Sequence, residues 1–505
     1  MRKIIIFAIV ELSMSRHPFI ICSPGNAFRR MLGCLFVVLV ILSCKKDPTM
    51  RTDIDSIETD YTGGIFSIEV DSNAPWKVVA NYGVGAGNGW IHFDRTEGES
   101  GPVQLTVVVD ESQGYDRKGS VVFVLEENLY HTVPISQHGK LNREMSDLFS
   151  PAFWEFIMSR HLVHQALDRD VGKVYYSDVL NIKKLDLSGQ TFDFMADLAF
   201  FERLEELNCS NCDLSVFTTP MPSLQVLICN TNQLKELDPA LFPSLKKLVC
   251  RYNEFSEFDP DAFRSLEELD ISGNPIRSID ISSSRLTTFC AACTPLKELV
   301  VGPSLEILTC GESEIERIDL SNAAALWTIN CDRCHLKELD VSHIDPGWLD
   351  CYSNPDLHSL ILPERQSQLM YLLCSSCRIE GELTVNSPVI RDVDCSDNRL
   401  SRLTITAESA PWDVTCQDNL LEELVIENTS ELYELKCRNN LLTSLGILPN
   451  SIRWQLLTYE GNPGKDGVFT VFIKGDVSNY NMMVYLSSSW TWNGETVTTR
   501  TVKVD

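Results

Sequence analysis

Apolar residues recur along most of this chain in one fixed phase. From residue 182 onward the unit L-x-x-L-x-C-x-x-N-x-L-x-x-L repeats, as in Leu224, Leu227, Cys229, Asn232, Leu234 and Leu237. With the Cys position as marker, the series Leu187, Cys209, Cys229, Cys250, Ile271, Ala291, Cys310, Cys331, Cys351, Cys374, Cys395, Cys416, Cys437, Tyr459 defines fourteen units spaced 19 to 23 residues apart. A period of that length marks a stack of like turns, none of which buries its apolar face alone. Within each unit the x-Leu-x triplet alternates sides. It predicts a short strand whose Leu points into the stack and whose two neighbours face a concave surface. The Asn position predicts a ladder of side-chain amides bonding the backbone where each strand ends. Roughly 20 residues per turn leave no room for a long helix, so the convex side is expected to be extended or 3₁₀-like.

This pattern resembles the leucine-rich repeat family, including the alternation of Asn with Cys at the ladder position (Cys212, Cys334, Cys377). The resemblance implies a solenoid over residues 182–462 with its binding surface on the concave face. The open ends need covers. Residues 150–167 (SPAFWEFIMSRHLVHQAL) carry helix-period apolar positions, with Pro151 near the start and Ser150 as a candidate N-cap, and predict a helical cap within 140–181. Stretches 468–474, 482–492 and 496–504 read as strands and predict a β-cap over 463–505. The segment 167–174 resembles a degenerate Ca²⁺ loop but lacks the third acidic position, so no Ca²⁺ is expected there.

Ahead of the repeats, residues 58–139 change rhythm. Short alternating runs at 65–70, 76–80, 90–93, 103–109, 120–125 and 130–136 are separated by turn-rich stretches such as 83–89 and 97–102. That spacing predicts an all-β sandwich. The order Phe66, Ser72-Asn73-Ala74-Pro75-Trp76, Trp90-Ile91, Gly98, Arg117-Lys118-Gly119 and Ile135-Ser136-Gln137-His138-Gly139 resembles the BACON domain, an immunoglobulin-like module of Bacteroidetes surface proteins. The resemblance implies sugar stacking on Trp76 and Trp90. The residues themselves favour core anchors, since each opens a strand where an aromatic ring buries a large area.

At the start, Arg29 and Arg30 precede the apolar run 31–42 (MLGCLFVVLVIL), then Ser43 and Cys44. A basic region, about a dozen apolar residues and a small residue before the cut read as a secretory signal over 1–43, too short for a bilayer span of about 20 residues. The ending Ile41-Leu42-Ser43-Cys44 resembles the bacterial lipobox. It implies acylation of Cys44, with 44–57 as a linker, and a lipid-anchored place on the outer membrane, facing the surface or the periplasm. The membrane is then met through the acylated N-terminus only. The expected fold class is β-rich and multidomain: a β-sandwich module, then a leucine-rich repeat solenoid with a short helical N-cap and a β C-cap.

Charge narrows the partners. Lys plus Arg number 43 against 70 Asp plus Glu, a formal net charge of −27, which argues against nucleic acid. The 18 cysteines suggest disulfides or zinc in an exported protein. Repeat phase places most of them in the inward column or the ladder, where a free thiol serves as a small apolar filler. Cys290 and Cys293 fall one residue out of phase and are expected on the concave side, as a candidate exposed thiol pair. No catalytic motif or nucleophile–base spacing stands out. An enzyme is not expected, nor a cofactor or metal. Outward positions supply the candidate partner site: Trp348, Tyr352, Tyr371 and Leu373, with Arg251 and Tyr252 in earlier turns; the later turns carry Asp392, Asp394, Asp397, Asp413 and Asp418, an acidic run expected to keep the surface soluble. The resulting expectation is a non-catalytic recognition or adhesion protein that binds a protein partner. A glycan-binding accessory role is the alternative, and a redox or metal role for Cys290 and Cys293 a third.

Overall fold

The computed structural model describes residues 47–125, 129–162, 173–366, 368–408, 411–428, 432–447, 456–474 and 489–504. The signal segment, Cys44 and the acidic stretch at 168–170 lie outside the described residues. The chain divides into two compact units, residues 1–140 and 141–505.

In the first unit two sheets face each other across one apolar core. Gly64–Ser72 pairs antiparallel with Gly101–Val109, flanked by Met50–Thr52 and Ile91–Phe93. The second sheet joins Trp76–Tyr82, Arg117–Leu125 and Leu129–Gln137, with Ile57–Thr59 and Glu97–Gly98 at its edges. Alternation does the sorting: Ile68, Val70, Leu105, Val107 and Val109 from one sheet meet Val78, Val121, Phe123, Val133 and Ile135 from the other. Met50–Thr52, placed in the linker by its sequence, is an edge strand paired with Val70–Ser72.

Trp76 and Trp90 sit in this core, 2% and 3% exposed. Trp76 meets Phe123 edge-on at 5.3 Å and is pressed against Gly98, where a Cβ would lie 2.3 Å from the indole. The Arg117 guanidinium lies 4.3 Å over Trp90. Rings so enclosed offer no face to a sugar, which corrects the stacking role expected from the resemblance. Gln137, buried at the end of its strand, accepts from Arg117 Nε at 2.7 Å and donates to the Asp110 carbonyl at 2.9 Å, tying strand ends together.

The second unit is built on a fourteen-stranded parallel sheet running from Lys184–Asp186 to Leu456–Thr458, one strand per turn. Register is unbroken, with central residues Leu185, Leu207, Leu227 and Leu248 facing one another strand to strand and all buried. Convex segments differ along the stack. Pro239–Leu241 and Pro260–Ala262 are 3₁₀ turns, whereas later turns form short parallel sheets of their own, the largest being Glu380–Asn386, Arg399–Thr406 and Glu423–Ile426.

The ladder explains the repeat's polar signature. Asn398 Nδ2 donates to the carbonyls of Cys374 and Cys395, and its Oδ1 accepts from the Ile379 amide. Asn253, Asn274, Asn354, Asn419, Asn440 and Asn462 repeat the arrangement on their own turns. Where Cys replaces Asn, a thiol keeps one donor: Cys212 to Leu187 O, Cys334 to Cys310 O and Cys377 to Cys351 O. Each ladder residue follows one in the left-handed region, for example Thr231, Ser353, Asp397 and Asn439, with Gly189, Gly273 and Gly461 serving on three turns. Cys209, Cys229, Cys250, Cys310, Cys331, Cys351, Cys374, Cys395, Cys416 and Cys437 fill the inward column, fully buried and free.

Both ends are covered. The helix Pro151–Ser159 buries Phe153, Phe156 and Ile157 in the repeat core. Ser150 stands at its start without capping it; its hydroxyl and amide instead bind the Asp197 carboxylate at 2.8 Å each. At the other end Ser444–Ile447, Val468–Lys474, Glu495–Val504 and Ser489–Trp492 form a four-stranded sheet. Tyr459 stacks on Phe469 at 5.2 Å and meets Trp490 edge-on at 5.6 Å.

Candidate functional site

Each triplet presents two residues to the concave face, and the parallel register stacks them in columns about 4.8 Å apart. On the early turns the charges are matched. Lys184 pairs with Glu206 at 2.6 Å, Lys247 with Glu268 at 2.7 Å and Arg251 with Asp270 at 2.5 Å. Arg251 is therefore engaged within the fold. Tyr252 is exposed, and its ring covers Gly273, where a Cβ would meet it at 2.4 Å.

The middle turns bring the expected aromatics together. Trp348 and Tyr371 are register partners whose ring centroids lie 4.5 Å apart at 35°. Both stay half-buried on the concave face. The long unit between Cys351 and Cys374 leaves their register intact, because its extra residues fall in the loop after Ser359–Ile361, where buried Gln366 donates to Pro363 O at 2.6 Å. Tyr352 belongs to a separate cluster: the Arg333 guanidinium lies 5.0 Å over its ring and also pairs with Glu312 and Asp332. Leu373 stands half-buried in register between Asp350 and Asp394.

Carboxylates dominate the later turns. Asp392, Asp413 and Glu434 are successive register partners in one column, next to Tyr371, and Asp394 occupies the other column. Like charges directly across neighbouring strands repel. Burial, then Asp413 and Asp394, raises Asp392 to about 6; burial, with Asp332 adding, raises Asp350 to about 6. Asp413 and Asp397 are also pushed up, chiefly by burial and then by Glu434 and Asp418 respectively. Asp413 Oδ1 is buried with no hydrogen-bond partner among the described residues. Lys436 offsets part of this charge through Glu434 at 2.6 Å.

One row escaped the sequence reading. The residues just before each triplet form a rim: Trp327, Gly347, Met370, Arg391, Trp412 and Tyr433, each amide donating to the preceding residue's carbonyl on the neighbouring turn. Trp327 is 39% exposed and Trp412 46%, and Arg391 stacks 4.9 Å over Trp412. Gly347 lies under the Trp327 ring, where a Cβ would approach to 2.3 Å. The same repeat phase marks this row, but the alternation argument reaches only residues flanking the inward Leu.

The two out-of-phase thiols sit in different surroundings. Cys290 ends its strand half-buried; burial, then Asp270, pushes its thiol to about 11. Cys293 is exposed, in the left-handed region, with Sγ 3.4 Å from Glu312 Oε2, and its thiol is raised by burial and by that carboxylate. Both shifts favour the protonated thiol, whereas a nucleophilic thiolate needs the opposite direction.

The Leucine Rich Repeat family matches residues 265–290. Among solved structures the chain is similar to the leucine-rich effector protein YopM of Yersinia pestis, at 23% identity over 53% of this chain and 74% of that one, TM-score 0.41. It is also similar to the functional domain of InlJ from Listeria monocytogenes, which includes a cysteine ladder, at 17% identity over 63% and 84%, TM-score 0.36. A Bacteroides ovatus GH5 xyloglucanase is matched over 18% of this chain at 17% identity, TM-score 0.16; the chain spans 19% of that enzyme. No curated protein matches the chain in sequence. Repeat phase, stacked parallel strands and Asn ladder give the body of this chain a leucine-rich-repeat-type solenoid fold, and within it residues 265–290 match the family itself.

Proposed function

We propose that this chain is an exported, lipid-anchored recognition protein, without catalysis of its own, that holds a protein partner on the concave face between Thr328 and Lys436. The observation that carries the reading is the Trp348–Tyr371 pair set beside the carboxylate column Asp392, Asp413 and Glu434. Leucine-rich repeat domains commonly mediate protein–protein interaction. Half-buried aromatics on a rigid sheet are the kind of anchor such contacts use. The anchor at Cys44, and the likeness of the first unit to a BACON module between anchor and repeats, are supported by their sequence motifs. The glycan alternative loses its basis at Trp76 and Trp90, which are core residues.

The test compares wild type with a Trp348→Ala/Tyr371→Ala variant in capture from a cell-surface protein preparation, with a glycan array in parallel. A protein captured by wild type and lost by the variant supports the reading. Capture that ignores the substitutions, or array binding that depends on them, overturns it.

A further inference from the structure

The two halves of the repeat sheet are built differently. The early turns close their charges within the fold, as Lys184–Glu206, Lys247–Glu268 and Arg251–Asp270 show. The later turns do not. Asp350, Asp392, Asp394, Asp397, Asp413 and Glu434 gather within a few turns, and the cations among them are already engaged: Lys436 by Glu434, Arg391 by the Trp412 ring, Arg333 by Glu312, Asp332 and Tyr352. Alongside runs the rim, with Trp327 and Trp412 exposed and Met370 and Tyr433 half-buried. From Trp327 to Tyr433 is five strand spacings, about 24 Å, the length of roughly seven residues of extended peptide.

We propose that this rim and the adjoining carboxylate columns form a docking strip for an extended, Lys- or Arg-bearing segment of a protein partner. Charge complementarity selects the occupant: surplus carboxylates attract a cation and repel anionic surfaces. The rings add a second criterion, because Trp and Tyr faces attract guanidinium and ammonium groups. The molecule itself shows that contact twice, with Arg391 over Trp412 and Arg333 over Tyr352. A neutral ligand would satisfy the rings and leave the carboxylate repulsion unrelieved. The raised carboxylate of half-buried Asp392, beside Asp413 in its column, fits a surface whose charge is held against a cost that a cation removes. The inference rests on the concave-face reading above and names its partner class.

The probe is a fluorescein-labelled dodecapeptide of alternating Arg and Ser, titrated against the purified protein by anisotropy. A Glu–Ser peptide and cellohexaose are the comparison ligands. The Arg–Ser peptide is expected to bind, weaken as NaCl rises from 50 to 300 mM, and lose about tenfold in affinity in both Asp392→Asn/Asp413→Asn and Trp412→Ala. A Lys247→Ala/Glu268→Ala control, on the charge-matched turns, is expected to bind as wild type. Circular dichroism confirms that each variant is folded. Failure of the Arg–Ser peptide to exceed the Glu–Ser peptide overturns the cationic partner. Cellohexaose or Glu–Ser binding that requires Trp412 also overturns it, while keeping the strip as a binding surface. Arg–Ser binding unchanged by the carboxylate and Trp348→Ala substitutions together overturns the strip and the concave-face reading with it.

Discussion

Asn398 satisfies three buried backbone groups at once, the carbonyls of Cys374 and Cys395 and the amide of Ile379. Alanine there strands all three. The expected cost is about 3 kcal/mol, because an unmade buried hydrogen bond costs the desolvation of the group left behind. Cys377 holds the same ladder position one turn earlier with only weak thiol contacts, to Cys351 O and Ser375 O at 3.4 Å each. Cys377→Ala is expected to cost about 1 kcal/mol, mostly lost packing. Urea unfolding of the two variants measures the difference; equal losses would show that the amides are not what the ladder needs. The inward cysteines follow from the same economy of space. Burial pushes their thiols up, to about 12 at Cys437, so they remain protonated and act as small apolar fillers.

Among elements, the strand Asp392–Asp394 carries a charge that opposes the fold. Asp392 titrates near 6 in place of its ordinary 3.8, through burial and then the neighbouring carboxylates, so the folded state holds this proton more tightly than the unfolded chain. Stability attributable to it therefore falls as pH rises between those values, and the penalty is complete above about 6. Asp392→Asn is expected to raise the melting temperature at pH 7.5, corresponding to about 1 kcal/mol once solvent screening of this half-exposed group is discounted. Near pH 4 most of that gain should vanish. An equal gain at both pH values would place its cause outside the titration.

Elements were legible to the extent that one period governed them. The triplet strands, the inward cysteines and the Asn ladder all follow from the phase of Leu and Cys. Longer convex strands such as Arg399–Thr406 come from β-branched runs that the repeat rule ignores. Met50–Thr52 is too short to show alternation, and only its pairing with Val70–Ser72 reveals it. Of the site, Trp348 and Tyr371 were readable from alternation. Trp327 and Trp412 were not, because they precede the strands and their exposure depends on how the chain enters each turn.

For the whole molecule, a solenoid's stability is a sum over neighbouring turns, so its ends decide where it opens. The last turn rests on the C-terminal sheet. Tyr459, fully buried, contacts Phe469 and Trp490, and Trp490 Nε1 donates to Asn462 O at 2.8 Å. Ending the chain after residue 462 would expose Tyr459 and the inner face of Ser444–Ile447, which pairs with Val468–Lys474. The expected loss is local: amide exchange accelerates in Glu434–Lys436 and Leu456–Thr458, while strands near Lys184–Asp186, covered by the Phe149–Phe153–Phe201 cluster, keep their protection. Uniform acceleration along the sheet would mean that the repeats open as one cooperative block. Tyr433 and Glu434 lie at the loosened turns, so the truncated chain should also lose part of its Arg–Ser peptide affinity while the charge-matched early turns stay folded. That pairing of local exchange with weakened Arg–Ser peptide binding ties the cap to recognition through the stack that joins them.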